Sequence, residues 1–324
     1  KNTLFNDLIL MQIQEPLLEK KISNSIKSLG KISDITSQKV KKQYEQNPYP
    51  RWRYTYLNLP NNLLNIVNSL VSPNKIKLIN KINNPEVLIA GCGTGKQIIY
   101  TKGFLNANIT GIDLSLSSLA YAKRKSEEVG LKNINFLQAD ILELKKLNKK
   151  FDLIESVGVI HHMKDPLKGL KVLKDLLKPH GLLRLGIYSE LARDDIIKIR
   201  KLIKKEKYKN TKKDIKKFRE IILDEKSNKL LKKVLYRRDF YSTSTARDLM
   251  FHVKEKRFTL PELSKMLEEL DLQFIGFDDF LAKRKYKNLY PLDIKNTSLS
   301  NWHQFEKKNP NIFMGMYNFF VKKK

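Results

Sequence analysis

The sequence predicts an open α/β fold organised around a parallel sheet. Three observations carry this expectation. Between Glu86 and Tyr188 short apolar runs alternate with helical patterns, joined by brief links. The first run leads straight into a turn with glycine at Gly91, Gly93 and Gly95. The next two runs each end on an acid, Asp113 and Asp140, where open sheets of this class bind ligands.

Taken in order, "EVLIA" (86–90) reads as a strand and Gly95 to Phe104 as a helix. "NITGID" (108–113) is the second strand. Ser115 suits the cap of the following helix, with Leu116, Leu119 and Ala120 on one face and Gly130 just beyond its end. "NINFLQAD" (133–140) and "FDLIESV" (151–157) are the third and fourth strands. Asp165 and Pro166 open a helix with Leu167, Leu170, Leu173 and Leu177 on one face. "PHG" (179–181) is expected to turn the chain into a fifth strand, "LLRLGIY" (182–188). Residues 194–238 are helical and basic, with 18 Lys or Arg against 5 acids between Lys198 and Arg238. "TLPE" (259–262) is a capping box. "LQFIGF" (272–277) and "IFMGMYNFFV" (312–321) read as two closing strands around a long insertion, and residues 1–43 as one or two short helices.

The 324 residues carry a net charge of +29 and 41% apolar side chains. That composition supports one main domain with sizeable insertions. The charge invites a nucleic-acid or acidic partner. Only 12 of the 63 basic residues are Arg, however, and phosphate- and base-reading surfaces favour Arg. The lysines are therefore read first as a solvated surface, with nucleic acid the less favoured partner. No apolar run approaches the ~18 residues of a membrane span. Asp7 and Glu15 interrupt the N-terminal apolar stretch and argue against a signal peptide. The single cysteine, Cys92, cannot form an internal disulfide, and a cytoplasmic location is expected. The chain starts at Lys1 rather than Met, which is compatible with a piece of a longer protein.

Three nucleotide loops compete for Glu86 to Ile99. A dinucleotide fingerprint needs a third glycine at Lys96, and a P-loop needs Gly at Ala90 and Ser or Thr at Gln97. What remains is G-x-G-x-G, which lets backbone approach a ligand closely without forming a pyrophosphate cradle. A carboxylate at Asp113 can accept both hydrogen bonds of a ribose diol, and one at Asp140 can accept from an adenine amino group. Each acid also suits a helix N-cap.

These stretches, "VLIAGCGTG", "GIDLS", "LQADIL", "FDLIESVGVIHHMKDP" and "LLKPHGLLRLGIYS", resemble the class I S-adenosylmethionine-dependent methyltransferases over about a third of the chain. The resemblance implies a Rossmann-like, seven-stranded and mostly parallel sheet with helical insertions, and S-adenosyl-L-methionine as cofactor. Gly91, Gly93 and Gly95 would flank the methionyl moiety and Asp113 would hold the ribose, with Cys92 and Leu114 as further cofactor-binding positions; the competing reading of Cys92 is a small residue tolerated between glycines. Asp140 and Ile141 would meet the adenine, while Ser156 and Val157 would line the methyl-transfer side. Ala90 stands where many members carry Asp or Glu. "QYEQNPYPRW", "GIYSELARDDI" and "TARDLMFHVKEKRFT" are further similar to a bacterial subgroup whose methyltransferase domain often follows tetratricopeptide repeats. No such array is visible here.

The expected organisation is an N-terminal strap (1–60), a cofactor-binding core (61–189), a basic helical cap over the substrate (190–258) and a C-terminal completion of the sheet (259–324). The acceptor is expected to be a small molecule or a protein side chain. His161 and His162, just past the fourth strand, are candidates for proton transfer, His162 foremost; a structural role is the competing reading. Tyr44, Tyr49, Arg51 and Trp52 in the proline-stiffened "NPYPRW" region form a candidate lid, with Arg51 or Tyr44 meeting the methionyl carboxylate; a packed strap is the alternative. Arg247 and His252 are candidates for the substrate wall. No metal site is expected. The other function class is a non-catalytic module whose basic helices dock RNA or an acidic partner.

Overall fold

The computed structural model describes residues 3–55, 59–76, 82–131, 133–224 and 228–324. The chain divides into two compact units, residues 1–67, 76–156 and 168–183, and residues 68–75, 157–167 and 184–324.

In the first unit the strands run in the order β1-β4-β3-β2-β5-β6. They are β1 (Lys27–Leu29), β2 (Glu86–Ala90), β3 (Asn108–Asp113), β4 (Ile134–Ala139), β5 (Phe151–Val157) and β6 (Leu177–Ile187). The β1–β4, β4–β3, β3–β2 and β2–β5 pairs are parallel. Val87, Leu88, Ile89 and Ala90 are completely buried, as a central strand covered on both faces requires. The strand order reverses beside β2, so its carboxyl end lies at the switch point where open sheets bind ligands.

The helices through this part of the chain are α1 (Thr3–Ile9), α2 (Glu15–Ser25), α3 (Ile35–Gln46), α4 (Leu63–Val71), α5 (Lys96–Tyr100), α6 (Leu116–Glu128) and α7 (Pro166–Asp175). Ser115 caps α6 by accepting from the Ser118 N–H, and Gly130 follows the helix at φ +76°. The helix expected over 95–104 is shorter: α5 stops at Tyr100 and Thr101–Gly103 is a 3₁₀ turn.

Three expectations are corrected. Residues 1–43 hold more than two short helices: a π-helical turn, Leu10–Gln14, joins α1 to α2, and β1 and the start of α3 follow. β1 adds an eighth strand at the edge of the sheet. The "PHG" turn is instead extended backbone inside β6. Lys178 and His180 there both reach the buried Asp152 carboxylate, and a Cβ on Gly181 would lie 2.8 Å from the Phe151 carbonyl oxygen. The strand therefore runs on through the segment.

In the second unit the end of β6 is followed in the sheet by β8 (Tyr317–Lys323) and then β7 (Leu272–Phe277), antiparallel to β8. β8 begins later than the expected 312, because bonds from Ile312 and Met314 back to Asn309 and Asn311 keep 309–314 in turns. The helices are α8 (Asp194–Lys205), α9 (Lys212–Leu223), α10 (Lys229–Lys232), α11 (Thr243–Phe251), α12 (Leu260–Glu269), α13 (Phe280–Leu289) and α14 (Leu299–Lys308). Thr259 and Glu262 form the expected capping box of α12. The basic helices have a core of their own. Ile196, Ile199 and Ile203 of α8 meet Ile215, Phe218 and Ile222 of α9, with Phe240 and Met250, so the apolar side of each helix is inward.

Candidate functional site

The glycine loop is shaped by its backbone. Gly91, Gly93 and Gly95 have φ of +80°, +50° and +80°. A Cβ on Gly95 would lie 2.8 Å from Cβ of Ala122 in α6, and one on Gly93 would lie 3.0 Å from the Tyr49 carbonyl oxygen. The N–H groups of Gly91 and Cys92 both donate to the Ile112 carbonyl of β3, at 2.9 and 2.8 Å. Cys92 is buried, and that burial, reinforced by Asp113, pushes its thiol well above the usual range. It is a small packed residue, with no tendency to form a thiolate.

Asp113, at the end of β3, accepts from the Gly93 N–H through Oδ2 and from the Ser115 N–H through Oδ1, both at 2.9 Å. Leu114 follows, its carbonyl accepting from Gln138 Nε2 at 2.9 Å. Asp140 is buried and caps the 3₁₀ helix Ile141–Leu147 through Oδ1, at 3.0 Å from the Leu142 nitrogen. The capping reading of this acid therefore holds for one oxygen. Ile141 is buried beside it. Ser156 is fully buried on β5 and donates to the Ala90 carbonyl at 3.1 Å, binding the end of β2 where no acid stands. Val157 belongs to the second unit, where its Cγ1 would lie 2.5 Å from a Cβ on Gly186.

The proline-stiffened strap docks on the glycine loop. Thr94 Oγ1 donates to the Pro50 carbonyl, and Trp52 Nε1 donates to the Thr94 carbonyl at 3.2 Å. Trp52 is buried against Ile99 and Tyr121, whose hydroxyl meets both the Trp52 N–H and its carbonyl. Tyr49 is half-buried with its carbonyl beside Gly93, and Tyr44 is half-buried on α3. Arg51 is half-exposed and lies 3.7 Å from Glu19, so its charge already has a partner. Glu45, which no sequence motif marks, accepts from the N–H groups of Leu116 and Ser117 at the start of α6. Its only sequence signal is one acid inside the strap region.

The second unit gathers three imidazoles. His161 and His162 lie in the 3₁₀ turn Ile160–His162 and are buried. The His162 ring stacks on His252 with centroids 3.6 Å apart at 19°, and His161 packs against His162 and Tyr188. His162 Nδ1 lies 2.6 Å from the Lys254 carbonyl, so it carries the hydrogen, whereas His252 Nδ1 accepts from the Lys254 N–H at 3.1 Å. Among the described residues neither ring nitrogen of His161 has a hydrogen-bond partner, and the nearby Gly186 backbone is the one influence that raises its pKa. Burial lowers all three imidazoles, His162 to about 4 and the other two well below the usual value. The side chain of nearby Glu255 is wholly buried between Arg193 at 2.8 Å and Arg257 at 3.5 Å. Arg247 is not in this group: its guanidinium binds Asn210. The hydroxyls at the start of α11 are used locally, Ser242 as cap and Thr245 donating to the Asp239 carbonyl at 2.6 Å.

Residues 81–238 match the model of a family described as a methyltransferase domain. An uncharacterized protein from Synechococcus sp. is 30% identical over 239 residues, covering 69% of this chain and 57% of its own length. A ubiquinone biosynthesis O-methyltransferase from Coxiella burnetii is 34% identical over 119 residues, 35% of this chain and 49% of that protein. The chain thus spans about half the length of the curated relatives it matches. Among solved structures, PKMT2 from Rickettsia typhi in complex with AdoHcy superposes with a TM-score of 0.60 at 17% identity, over 86% of this chain and 55% of that one. The likeness is one of fold: the architecture is the Rossmann-like α/β fold of class I methyltransferases.

Proposed function

We propose that the chain is an S-adenosylmethionine-dependent methyltransferase whose cofactor is held in the first unit by Gly91, Cys92, Gly93, Gly95, Asp113, Leu114, Asp140, Ile141 and Ser156. The observation that carries this reading is the Asp113 carboxylate. Each of its oxygens accepts one backbone N–H, and each keeps a second lone pair, the two acceptors that a ribose diol needs. The glycine loop fits the same ligand, since it presents backbone with no Cβ at three alternate positions. The family match and the AdoHcy-bound structure of the same fold support the choice of cofactor.

When bound, the cofactor supplies an electrophilic methyl group on a sulfonium. The chain's task is to orient that group and the acceptor, because alignment provides much of the rate of an in-line transfer. Asp113 fixes the ribose and Asp140 takes the adenine amino group. The strap of Tyr49 to Trp52 holds the loop in shape, the support that an acid in place of Ala90 would otherwise give. We assign His161 and His162 a positioning role. A base lowered to about 4 competes poorly for the proton of an ammonium acceptor. The acceptor is a small molecule or a protein side chain.

Thermal shifts with S-adenosylhomocysteine, NAD and ATP test the reading. A ligand at 100 times its dissociation constant adds about 2.7 kcal/mol, which at an unfolding entropy of about 2.1 cal/mol/K per residue raises the melting temperature by roughly 4 °C in a chain of this size. A shift with S-adenosylhomocysteine alone is the expected result. A shift with NAD alone would overturn it.

A further inference from the structure

We propose that the face formed by α13 and the loop after it is a docking surface for an anionic lipid bilayer. Phe280, Leu281, Leu289, Leu292 and Ile294 are 70%, 60%, 56%, 94% and 78% exposed. Arg284, Lys285, Lys287 and Lys295 are exposed among them. On the helix, Phe280 precedes Arg284 and Leu281 precedes Lys285 by one turn, so apolar and cationic groups share one face. That combination, large apolar side chains among cations on an amphipathic helix, suits the boundary between acyl chains and anionic headgroups.

The acids of the segment are all committed elsewhere. Asp278 is bound to Arg184, and Asp279 caps α13 by accepting from the Ala282 N–H. Asp293 accepts from the Tyr286 hydroxyl at 2.6 Å and from the N–H groups of Thr297 and Ser298. Asp293 stands between Leu292 and Ile294, so the anchored carboxylate turns inward while both apolar neighbours stay in solvent. That is the reverse of the usual sorting of polar and apolar groups. The face is also held in place from behind. Lys283 donates to the Leu70 and Ser72 carbonyls, and the Tyr286 ring stacks on Trp302 at 3.8 Å. An apolar and cationic face, on a segment whose acids are all engaged within the fold, matches a negatively charged, partly apolar surface. No helix among the described residues is long and apolar enough to cross a membrane, and this surface needs none.

Co-sedimentation with phosphatidylcholine vesicles, with and without phosphatidylglycerol, tests the proposal on the whole chain in about 0.15 M salt. Because a net charge of +29 alone can attract anionic vesicles, the deciding variant changes no charge: Leu281→Ser with Leu292→Ser and Ile294→Ser. These side chains are mostly in solvent, and an unchanged melting temperature verifies that the variant folds. The expected result is binding to phosphatidylglycerol vesicles, weakened roughly tenfold in the serine variant and lost with Arg284→Glu and Lys285→Glu. Equal binding by the serine variant would mean simple charge attraction and would overturn the proposal. So would absence of vesicle binding together with capture of polyglutamate, which would assign the face to an acidic protein.

Discussion

The backbone N–H of Gly93 and the carboxylate of Asp113 meet at 2.9 Å, joining the middle of the glycine loop to the end of the neighbouring strand. Burial is the largest influence on that carboxyl and Glu45 adds to it, while the bonds from the Ser115 and Gly93 N–H groups and the smaller pull of the adjacent Leu114 N–H oppose; the balance pushes it up to about 6. The charge is thus only partly satisfied by the protein, and donors brought by a ligand would complete it.

Asp113→Asn keeps a side chain of the same shape but removes one acceptor and the charge. Charged hydrogen bonds contribute roughly 1.5–3 kcal/mol, so S-adenosylhomocysteine should bind about ten- to a hundredfold more weakly by calorimetry. Unchanged affinity would remove Asp113 from the ribose site.

The same carboxyl predicts a pH dependence of two opposite signs. Ligand donors need the ionised form, so affinity should fall as pH drops below about 6, approaching tenfold per unit. Stability runs the other way. The folded value lies above the ordinary 3.8, so this group's contribution is full below that value and is lost as pH rises through about 6. Calorimetric titrations from roughly one unit below this carboxyl's value to roughly two above it check the first sign; a flat affinity would contradict it.

Gly95→Ala and Gly130→Ala separate crowding from backbone strain. Both positions have positive φ, +80° and +76°, which costs roughly 1–2 kcal/mol for an alanine. Gly130 has open space around a Cβ, whereas Gly95 faces Ala122 at 2.8 Å. Gly95→Ala should therefore lose about 1–3 kcal/mol more in denaturant melts. Equal losses would show that α6 yields easily.

Trp52→Phe deletes the indole donor to the Thr94 carbonyl while retaining an aromatic ring. A stability loss of about 1 kcal/mol is expected, with faster proteolysis in the strap and weaker S-adenosylhomocysteine binding. Stability loss with intact binding would make the strap structural alone.

The buried imidazoles predict acid sensitivity. Their folded values lie below the ordinary 6.5, so their stability contribution is present above that value and lost as pH falls toward about 4 for His162. For His162 alone this amounts to roughly 3 kcal/mol. His162→Gln should flatten the stability–pH curve between those values, as followed by chemical denaturation at each pH. A curve parallel to the wild type would show that the ring titrates normally.

Local features were legible in the sequence because their causes are local. Ser115 and Thr259 cap helices because their hydroxyls reach N–H groups three residues on. Gly130 ends α6 because a left-handed residue is needed there. The extended "PHG" segment and the three-residue β1 were not legible, since each depends on a partner far away in the chain. Glu45 reaches the start of α6 across 71 residues, and Asp113 reaches back 20 to Gly93. Of the strap residues, Tyr49 and Trp52 lie against the loop, whereas Arg51 pairs with Glu19.

Periodicity, caps and glycine spacing by themselves determined a parallel α/β core and where along the chain its glycine loop stands, because these are written in neighbouring residues. Only the tertiary structure decided which groups meet: Trp52 with Thr94, His162 with His252, Asp293 inward between two exposed apolar side chains. Such pairings follow from how strands and helices are brought together in space. The free energy of a buried hydrogen bond or stacked ring depends on that arrangement, and residue type carries no record of it.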